Sequence, residues 1–408
     1  MPFDRLGQAL RDELRALEAP KGPESVVCEV LSAEGDRGPR VRLEGEGERA
    51  FLRMNSNGYL GMALHPGVIA AEEHAARRFG TGPQAVRFIS GTFSPHTALE
   101  RRLAGFHGRE AAMIYSSAYA AVMGVLPPLI DDTTAVISDA LNHNCIINAI
   151  RLAQPASKQV YPHLDLYALE TALEQTAGQC RRAIVVTDGV FSMRGDHAPL
   201  DRIAEIVRRF DARFPENVCL VVDDSHGVGA IGETGRGTEE VTGAHADILV
   251  ATLGKSLGVN GGYVTGAQPL VDLLREKSPF YVFSNPITPA EAAAADRALE
   301  LLDSGEGLRR LERLRTLTGR FRAGLARLGY ESVPGDHPVV PLLVRDTPRT
   351  ADLVLHLRER GVLATGLGFP VVPRGQEEIR FQISADHTEA DIGEALAALE
   401  AFPGRSVA

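Results

Sequence analysis

The sequence of 408 residues predicts an α/β protein with a mainly parallel sheet, followed by a smaller α+β module. Three observations lead to this fold class. Short β-branched runs alternate with helical segments from about residue 61 to 300, as in strands joined by helical crossovers. From about residue 290 a long helix is followed by two strands and two shorter helices, which indicates a separate α+β module of about 100 residues. The length allows two or three domains.

The N-terminal region predicts a helix and two strands. One helical face carries Phe3, Leu6, Leu10, Leu14 and Leu17, which indicates an amphipathic helix over residues 3–17. Short strands are expected at 26–30 and 40–43. The central region then offers helices at 165–176 and 199–211 and seven candidate strands, at 112–115, 134–137, 159–161, 183–187, 218–223, 248–251 and 263–265.

Leucine and phenylalanine at helical spacing from 308 to 328 predict one long helix in the third region. A strand at 339–344, a helix at 351–360 and a strand at 379–384 follow. Thr388 and Asp391 resemble a capping box that opens the last helix. We expect an N-terminal arm at 1–60 that belongs to the small domain, a large domain at 61–299, and a C-terminal small domain at 300–408.

Composition narrows the class of function. A net charge of −10 does not favour nucleic acid, and no apolar run approaches the length of a membrane helix. The N-terminus lacks the pattern of a secretory signal. Four cysteines without metal-ligand spacing indicate reduced thiols, no metal site and a cytoplasmic location.

Two strand ends carry the groups that would do chemistry. The segment 221–229 places Asp223 and His226 after an apolar strand, where a carboxylate can pair with a protonated ring nitrogen. The alternative is a helix N-cap with a surface histidine. Segment 248–258 ends in a turn that holds Lys255, a candidate Schiff-base nucleophile, with a phosphate-binding or surface lysine as its alternative. Together, an aspartate and a lysine are what pyridoxal phosphate requires.

Further segments supply candidate contacts. Residues 115–121 follow a strand and open a helix whose free amides suit a phosphate, although this segment taken alone favours an ordinary serine N-cap. Thr252 is a second phosphate candidate. His143 follows another strand end and could stack on a planar ring or be structural. Arg380 lies within an apolar strand and needs an anion, either a substrate carboxylate or a protein acid.

Taken together, these segments resemble the α-oxoamine synthase family of pyridoxal-phosphate enzymes. The resemblance runs from about Asn55 to His387 and is carried by eight stretches in order: 57–61, 86–92, 139–143, 187–193, 223–237, 252–258, 283–285 and 370–380. It implies the fold type I (aspartate aminotransferase-like) architecture with a seven-stranded sheet, and a homodimer with its sites at the interface.

The resemblance implies a role for each matching residue. Lys255 would form the Schiff base and remove the α-proton, and Asp223 would hold the pyridinium charge. His143 would stack on the ring, and His226 and Ser192 would contact the ring hydroxyl. Asn57 and Arg380 would bind the amino acid carboxylate. The phosphate contacts would be Ser117, Ala118, Tyr119 and Thr252, with Ser284 and Asn285 from the neighbouring subunit.

The implied reaction condenses an amino acid with an acyl-CoA and releases CoA. Segments 86–92, 139–142 and 283–285 are most similar to glycine C-acetyltransferase, which favours glycine and a short acyl group. A longer acyl chain, as in 8-amino-7-oxononanoate or sphingoid-base synthesis, is the alternative. Asn144 and Cys145 depart from the family pattern, as do Arg194 and a shortened run at 258–262. An aminotransferase or lyase of the same fold is the rival from another class.

Overall fold

The computed structural model describes residues 4–16, 24–369 and 372–403. Contacts divide the chain into two compact units. The larger unit contains Asn57–Thr316 and Pro334–Pro338, and the smaller one contains Met1–Ser56, Leu317–Val333 and Val339–Ala408. These limits differ from the predicted boundaries at residues 60 and 299, which remain a proposal.

Within the described ranges, the strands are β1 (Val27–Leu31), β2 (Arg40–Leu43), β3 (Ala50–Arg53), β4 (Ala111–Tyr115), β5 (Thr134–Asp139), β6 (Ser157–Tyr161), β7 (Arg182–Asp188), β8 (Val218–Asp223), β9 (Ile248–Thr252), β10 (Gly262–Gly266), β11 (Val339–Leu343), β12 (Val362–Leu363), β13 (Thr365–Leu367) and β14 (Glu378–Gln382). The helices are α1 (Asp4–Ala16), α2 (Pro66–Phe79), α3 (Ser94–Phe106), α4 (Ala118–Leu129), α5 (Asn144–Ala153), α6 (Leu166–Thr176), α7 (Leu200–Phe210), α8 (Thr238–Thr242), α9 (Gln268–Lys277), α10 (Pro279–Val282), α11 (Pro289–Leu302), α12 (Gly305–Arg327), α13 (Thr347–Glu359) and α14 (Glu389–Glu400).

The larger unit is built on a seven-stranded sheet with the order β4-β10-β9-β8-β7-β5-β6. Strands β9, β8, β7, β5 and β6 run parallel, whereas β10 is antiparallel to both β9 and β4. Each of the seven predicted strands lies inside one of these strands, so the predicted α/β class is confirmed. Buried aliphatic clusters cover both faces of the sheet, as a sheet flanked by helices requires.

Polar residues lie where the parallel strands have their carboxyl ends, along one edge of this sheet that runs across the strands. Strand β5 ends at Asp139, β7 at Asp188, β8 at Asp223 and β9 at Thr252. Strand β4 ends at the same edge, and β10 begins there with Gly262, because it is paired with Tyr115 and Thr252 in antiparallel register. A ligand site is expected at this edge of an open α/β sheet.

The smaller unit contains a four-stranded sheet (β1-β2-β3-β12) and a three-stranded sheet (β11-β14-β13), which confirms its α+β character. The capping box at Thr388 and Asp391 is present. Helix α13 begins at Thr347, earlier than predicted, because the Asp346 side chain accepts the Arg349 N–H at 2.8 Å and caps it. Arg40 reaches Asp391 at 2.8 Å in a buried ion pair.

The predicted N-terminal helix is present as α1, and its leucines at 6, 10 and 14 are about half exposed. Phe3 and Leu17 of the predicted helical face lie outside the described residues, as do Pro370 and Val371 of the last matching stretch. Among the helices described, none combines the length and the apolar character needed to cross a bilayer.

Candidate active site

A cavity of about 340 Å³ lies at the polar edge of the seven-stranded sheet. Seven of the predicted site residues line it: Ala118, Tyr119, His143, Ser192, Asp223, His226 and Lys255. Four further residues complete the lining: Cys145, Asp188, Val190 and Ser225.

Lys255 lies in the tight connection between β9 and β10. The antiparallel pairing of β9 with β10 extends into this connection, where the Leu253 N–H donates to the Gly261 carbonyl at 2.9 Å. Thr252 closes it further, since its hydroxyl lies 3.2 Å from the same carbonyl and accepts the Gly254 N–H at 3.0 Å. The amine is therefore carried on a short loop that is fixed at both ends. Thr252 itself is not among the lining residues.

Asp223, the last residue of β8, is buried and faces the cavity. Its Oδ1 accepts the Ser225 N–H at 3.1 Å and the Ser225 hydroxyl at 2.5 Å. These two bonds fix the orientation of the carboxylate. The second oxygen, Oδ2, lies 3.8 Å from the Cys145 Sγ.

The alternative of a helix N-cap with a surface histidine after β8 is wrong. In the described chain, no helix lies between the end of β8 and Thr238, and the buried Asp224 carboxylate accepts both the N–H and the hydroxyl of that threonine. His226 is only 7% exposed. Its Nδ1 lies 2.8 Å from the Tyr59 hydroxyl, which also lies 3.3 Å from the Asn57 Oδ1.

His143 caps α5 and lines the cavity, so its structural and its cofactor-facing roles coexist. Its Nδ1 accepts the Cys145 N–H at 3.3 Å and lies 2.9 Å from the Cys145 Sγ. Burial lowers the pKa of His143 below its usual value; the charge of Asp223 opposes this shift and that of Lys255 adds to it. The ring is therefore neutral near pH 7 and offers a flat, uncharged face.

Asp188 is a cavity residue to which the sequence analysis gave no role. It ends β7 directly beside Asp223 in the parallel ladder. Its Oδ2 accepts the His143 backbone N–H at 3.1 Å, whereas its buried Oδ1 has no hydrogen-bond partner. Burial, and then the nearby Asp223 charge, raise the pKa of Asp188 well above its usual value. A carboxylate at the end of a neighbouring parallel strand is the signal that could have identified it.

The N-terminus of α4 forms another wall of the cavity. It carries backbone N–H groups that have no hydrogen-bond partner within the helix. Ser117 is the N-cap, since its Oγ accepts the Ala120 N–H at 3.0 Å, so the serine-cap alternative is correct for its side chain. The N–H groups of the first turn, including those of Ala118 and Tyr119, have no partner within the helix. A Cβ at Gly262 would lie 2.3 Å from the Ala118 nitrogen, so only glycine lets β10 pass this close.

Ser192 lies on a tight turn after β7. The Phe191 N–H donates to the Asp196 carbonyl at 2.9 Å, and the Gly195 N–H donates to the Phe191 carbonyl at 2.8 Å. Phe191 is buried and anchors the turn. The Asp196 side chain contacts His163, which also reaches Asp139 at the end of β5.

Besides Ser117 and Thr252, four predicted residues do not line the cavity. Ser284 and the exposed Asn285 follow α10 in the larger unit. Asn57 reaches the site only through the hydroxyl of Tyr59. A fourth, Arg380, lies on the middle strand of the three-stranded sheet in the smaller unit. The roles of these four residues stay predictions.

Comparisons with known proteins agree with this geometry. Residues 49–399 match the family model for aminotransferase class I and II. The mitochondrial 2-amino-3-ketobutyrate coenzyme A ligase of Mus musculus is 40% identical over 359 residues, which cover 87% of this chain and 84% of that protein. The 8-amino-7-oxononanoate synthase of Geobacter metallireducens is 40% identical over 401 residues, which cover 97% of this chain and 98% of that protein.

Solved structures with the same fold include serine palmitoyltransferase of Sphingomonas wittichii. It aligns with a TM-score of 0.86 and 28% identity, covering 98% of this chain and 96% of that chain. A structure of SPT with a PLP internal aldimine aligns with a TM-score of 0.84 and 26% identity, covering 98% of this chain and 97% of that chain.

Proposed function

The chain belongs to the aminotransferase class I and II family and, within it, to the pyridoxal-phosphate-dependent α-oxoamine synthases, and we propose that it condenses glycine with a short acyl-CoA. The observation that carries this proposal is the convergence of Lys255, Asp223 and His143 on one cavity. The reaction forms a carbon–carbon bond between the glycine Cα and the acyl carbon. It breaks the thioester C–S bond and releases CoA.

The residues of the cavity fit the cofactor. A buried carboxylate suits its ring nitrogen, and the amine of Lys255 suits its aldehyde. The unbonded amides at the start of α4 suit its phosphate. Two further observations support the fit: Asp188 Oδ1 is buried without a partner at the cavity wall, and a Cβ at Gly262 would collide with the Ala118 amide.

When bound, the cofactor supplies an aldehyde that condenses with amines and a ring that draws electrons from the substrate Cα. Lys255 would hold it through Nζ and then accept the α-proton at the same atom. Asp223 would face the ring nitrogen and keep a proton on it, with its carboxylate oriented by the two bonds from Ser225. That proton is what lets the ring accept electrons.

The other cavity residues would orient the cofactor and enclose it. His143 would present its neutral ring to the ring of the cofactor, and His226 and Ser192 would contact the ring hydroxyl. Tyr59 supports His226 by its bond at 2.8 Å. The amides of Ala118 and Tyr119, with Ser117 and Thr252, would hold the phosphate.

Substrate binding would involve the carboxylate of the amino acid. We assign this carboxylate to Asn57 and Arg380. The bond chain from Asn57 through Tyr59 to His226 supports the first assignment, because it connects a polar side chain outside the cavity to one that lines it. The second assignment rests on the resemblance of the segment that contains Arg380 to the family pattern.

The relatives support two candidates for the acyl group. The 8-amino-7-oxononanoate synthase is as similar to this chain as the 2-amino-3-ketobutyrate ligase is, at 40% identity, and it covers more of the chain. A longer acyl chain, with loss of the substrate carboxylate as carbon dioxide, is therefore the second candidate.

A matrix of amino acids against acyl-CoAs tests the proposal. The purified protein, saturated with pyridoxal phosphate, is incubated with glycine, alanine or serine and with acetyl-, pimeloyl- or palmitoyl-CoA. Free CoA is measured with a thiol reagent and the product by mass. We expect the fastest CoA release from glycine with acetyl-CoA. Faster release from alanine with pimeloyl-CoA, and a product lacking the carboxylate, would favour the second candidate.

The rival aminotransferase reaction gives a different outcome in the same experiment. It needs no acyl-CoA and leaves the cofactor in its amine form. Conversion of the amino acid to a keto acid in the absence of any thioester would contradict the acyltransferase proposal. The Lys255→Ala variant is the control for cofactor-independent thioester hydrolysis.

We infer that the active unit is a homodimer. Phe88, Ile89 and Phe283 are 68%, 68% and 80% exposed, and their segments contact each other on the surface of the single chain. Large apolar patches of this kind mark protein interfaces. Ser284 and Asn285 follow directly and would reach the phosphate of the neighbouring subunit.

Mixing two inactive variants tests this arrangement. Lys255→Ala and Asn285→Ala dimers are dissociated and reassembled together. A mixed dimer has one site with both intact residues if each site uses Lys255 of one chain and Asn285 of the other. Recovery should reach about a quarter of wild-type activity, from random pairing of two chains in a closed dimer. No recovery, or a monomer by light scattering, would contradict shared sites.

A cytoplasmic location is also part of the proposal. It is supported by the four cysteines, which are all free in the structure, as expected in a reducing compartment.

A further inference from the structure

His163 connects two segments that line the proposed cofactor site. It lies in the short connection between β6 and α6 and is mostly buried. Its Nδ1 is 3.1 Å from Asp139 Oδ1, and its Nε2 is 3.3 Å from Asp196 Oδ2. Both ring nitrogens therefore face carboxylates that belong to different segments of the sheet edge.

The Asp196 side of this bridge controls the turn that carries Ser192. Phe191 and Asp196 are joined by a backbone hydrogen bond at 2.9 Å, which closes the turn around Ser192. The His163 ring packs edge-on against Phe191, with 4.4 Å between the ring centroids. Contact with His163 thus fixes the turn through both a carboxylate and an aromatic ring.

The Asp139 side controls the segment that carries His143. Asp139 is the last residue of β5, and its Oδ1 also accepts the Leu141 N–H at 2.8 Å. Its Oδ2 accepts the Leu164 N–H at 2.9 Å. The carboxylate therefore shapes the turn from the strand end to the N-cap of α5, where His143 enters the cavity.

We propose that His163 is a positioning residue of the active site, which holds the Ser192 turn at a fixed place relative to the His143 turn. This inference rests on the proposed contacts of Ser192 and His143 with the cofactor. The bridge itself is independent of the cofactor, because it consists of protein groups alone.

The charge of His163 supports this role. Burial alone would lower its pKa, but the hydrogen bonds and charges of Asp139 and Asp196 outweigh burial and raise the pKa to about 9. The charged groups that face it are these two carboxylates and Arg194, which contacts Asp196 at 2.8 Å. The ring is thus an imidazolium at neutral pH, with a donor for each carboxylate.

The sign of the pH dependence follows. The pKa of His163 in the folded protein lies above the ordinary histidine value of about 6.5. The bridge therefore stabilises the folded site fully below pH 6.5. Its contribution declines as the pH rises and is lost above about 9. Above that pH only one ring nitrogen carries a hydrogen, so one of the two carboxylates loses its donor.

The test is the affinity for pyridoxal phosphate and the visible circular dichroism of the bound cofactor in His163→Gln. Glutamine is uncharged and cannot reach both carboxylates. At pH 7 we expect about a 10-fold weaker affinity, the loss associated with one charge-assisted hydrogen bond, and a weaker dichroic band. His245→Gln is the matched control, because this exposed histidine contacts Glu239 at 3.3 Å outside the cavity.

A pH series separates positioning from a general loss of stability. The ratio of the two dissociation constants, variant over wild type, cancels the titration of the cofactor itself. We expect this ratio to fall from about 10 at pH 7 towards 1 above pH 10. A ratio that is 1 throughout, or a variant with lowered melting temperature but unchanged affinity and dichroism, would overturn the inference.

Two further variants keep the outcome interpretable. Asp196→Asn breaks the same bridge from the other side and replaces His163→Gln if the latter does not fold; the same loss of affinity is expected. Ser192→Ala tests the underlying site. If Ser192→Ala matches wild type, the proposed role of Ser192 fails. If Ser192→Ala weakens binding and both bridge variants do not, the inference about His163 fails alone.

Discussion

The buried ion pair between Arg87 and Glu100 allows a quantitative prediction about the surface proposed to meet the second subunit. Arg87 opens the π-helical turn Arg87–Gly91, which carries Phe88 and Ile89. Its two terminal nitrogens lie 3.1 Å from the two Glu100 oxygens, and both side chains are at least 93% buried. Such a pair is costly to break from one side only.

The two halves of the pair should not cost the same. Glu100 also accepts Arg275 at 2.9 Å and the Ile114 N–H at 3.2 Å. Removing Arg87 therefore leaves the carboxylate with a second cation and a backbone donor, whereas neutralising Glu100 leaves two arginines without their shared anion. We expect Glu100→Gln to lower the free energy of unfolding by about 3–5 kcal/mol, and Arg87→Ala by about 2 kcal/mol.

Urea unfolding followed by far-ultraviolet circular dichroism measures both changes; the chain has no tryptophan for fluorescence. The matched control is Glu300→Gln, which removes the exposed partner of Arg297 and should cost at most about 0.5 kcal/mol. The double variant should cost less than the sum of the two singles, since each removes the same interaction. The reasoning is refuted if Arg87→Ala destabilises the protein as much as Glu100→Gln does.

Three further changes follow from the site. Lys255→Ala should abolish CoA release and the borohydride-reducible absorbance at roughly 410–430 nm while leaving the fold unchanged by circular dichroism; residual turnover would exclude this amine. Gly262→Ala should weaken pyridoxal phosphate binding at least 10-fold, because its Cβ meets the Ala118 nitrogen at 2.3 Å; the exposed Gly105→Ala, with no atom within 4 Å, is the control. Arg380→Ala should raise the KM for the amino acid more than it lowers kcat in steady-state assays, and a loss of folding instead would favour a structural ion pair.

The sheet could be predicted from the sequence because its strands are short, apolar and β-branched. Residues 218–223 show this pattern so clearly that predicted and observed limits coincide. The direction of β10 could not be predicted, since a pattern of apolar residues is the same in either direction. Strands β12 and β13 could not be predicted, because runs of two or three residues show no pattern, and β3 was not predicted either.

The site was predictable where its residues follow a strand end, as Asp223 and Lys255 do. His163 was not, because its two partners lie 24 and 33 residues away, and only the fold brings them together. Asp188 was missed for a different reason. A single carboxylate after a strand is common, and its importance depends on the neighbour in the sheet, which the sequence does not state.

The position of β10 between β4 and β9 has a consequence for synthesis of the protein. In the seven-stranded sheet, β4 has β10 as its only neighbour, and residues 111 and 266 are paired. A ribosome must therefore translate about 150 further residues before β4 can join the sheet. The helix that follows β4 would provide the phosphate cradle, so a nascent chain cannot capture the vitamin-derived cofactor until residue 266 has left the exit tunnel.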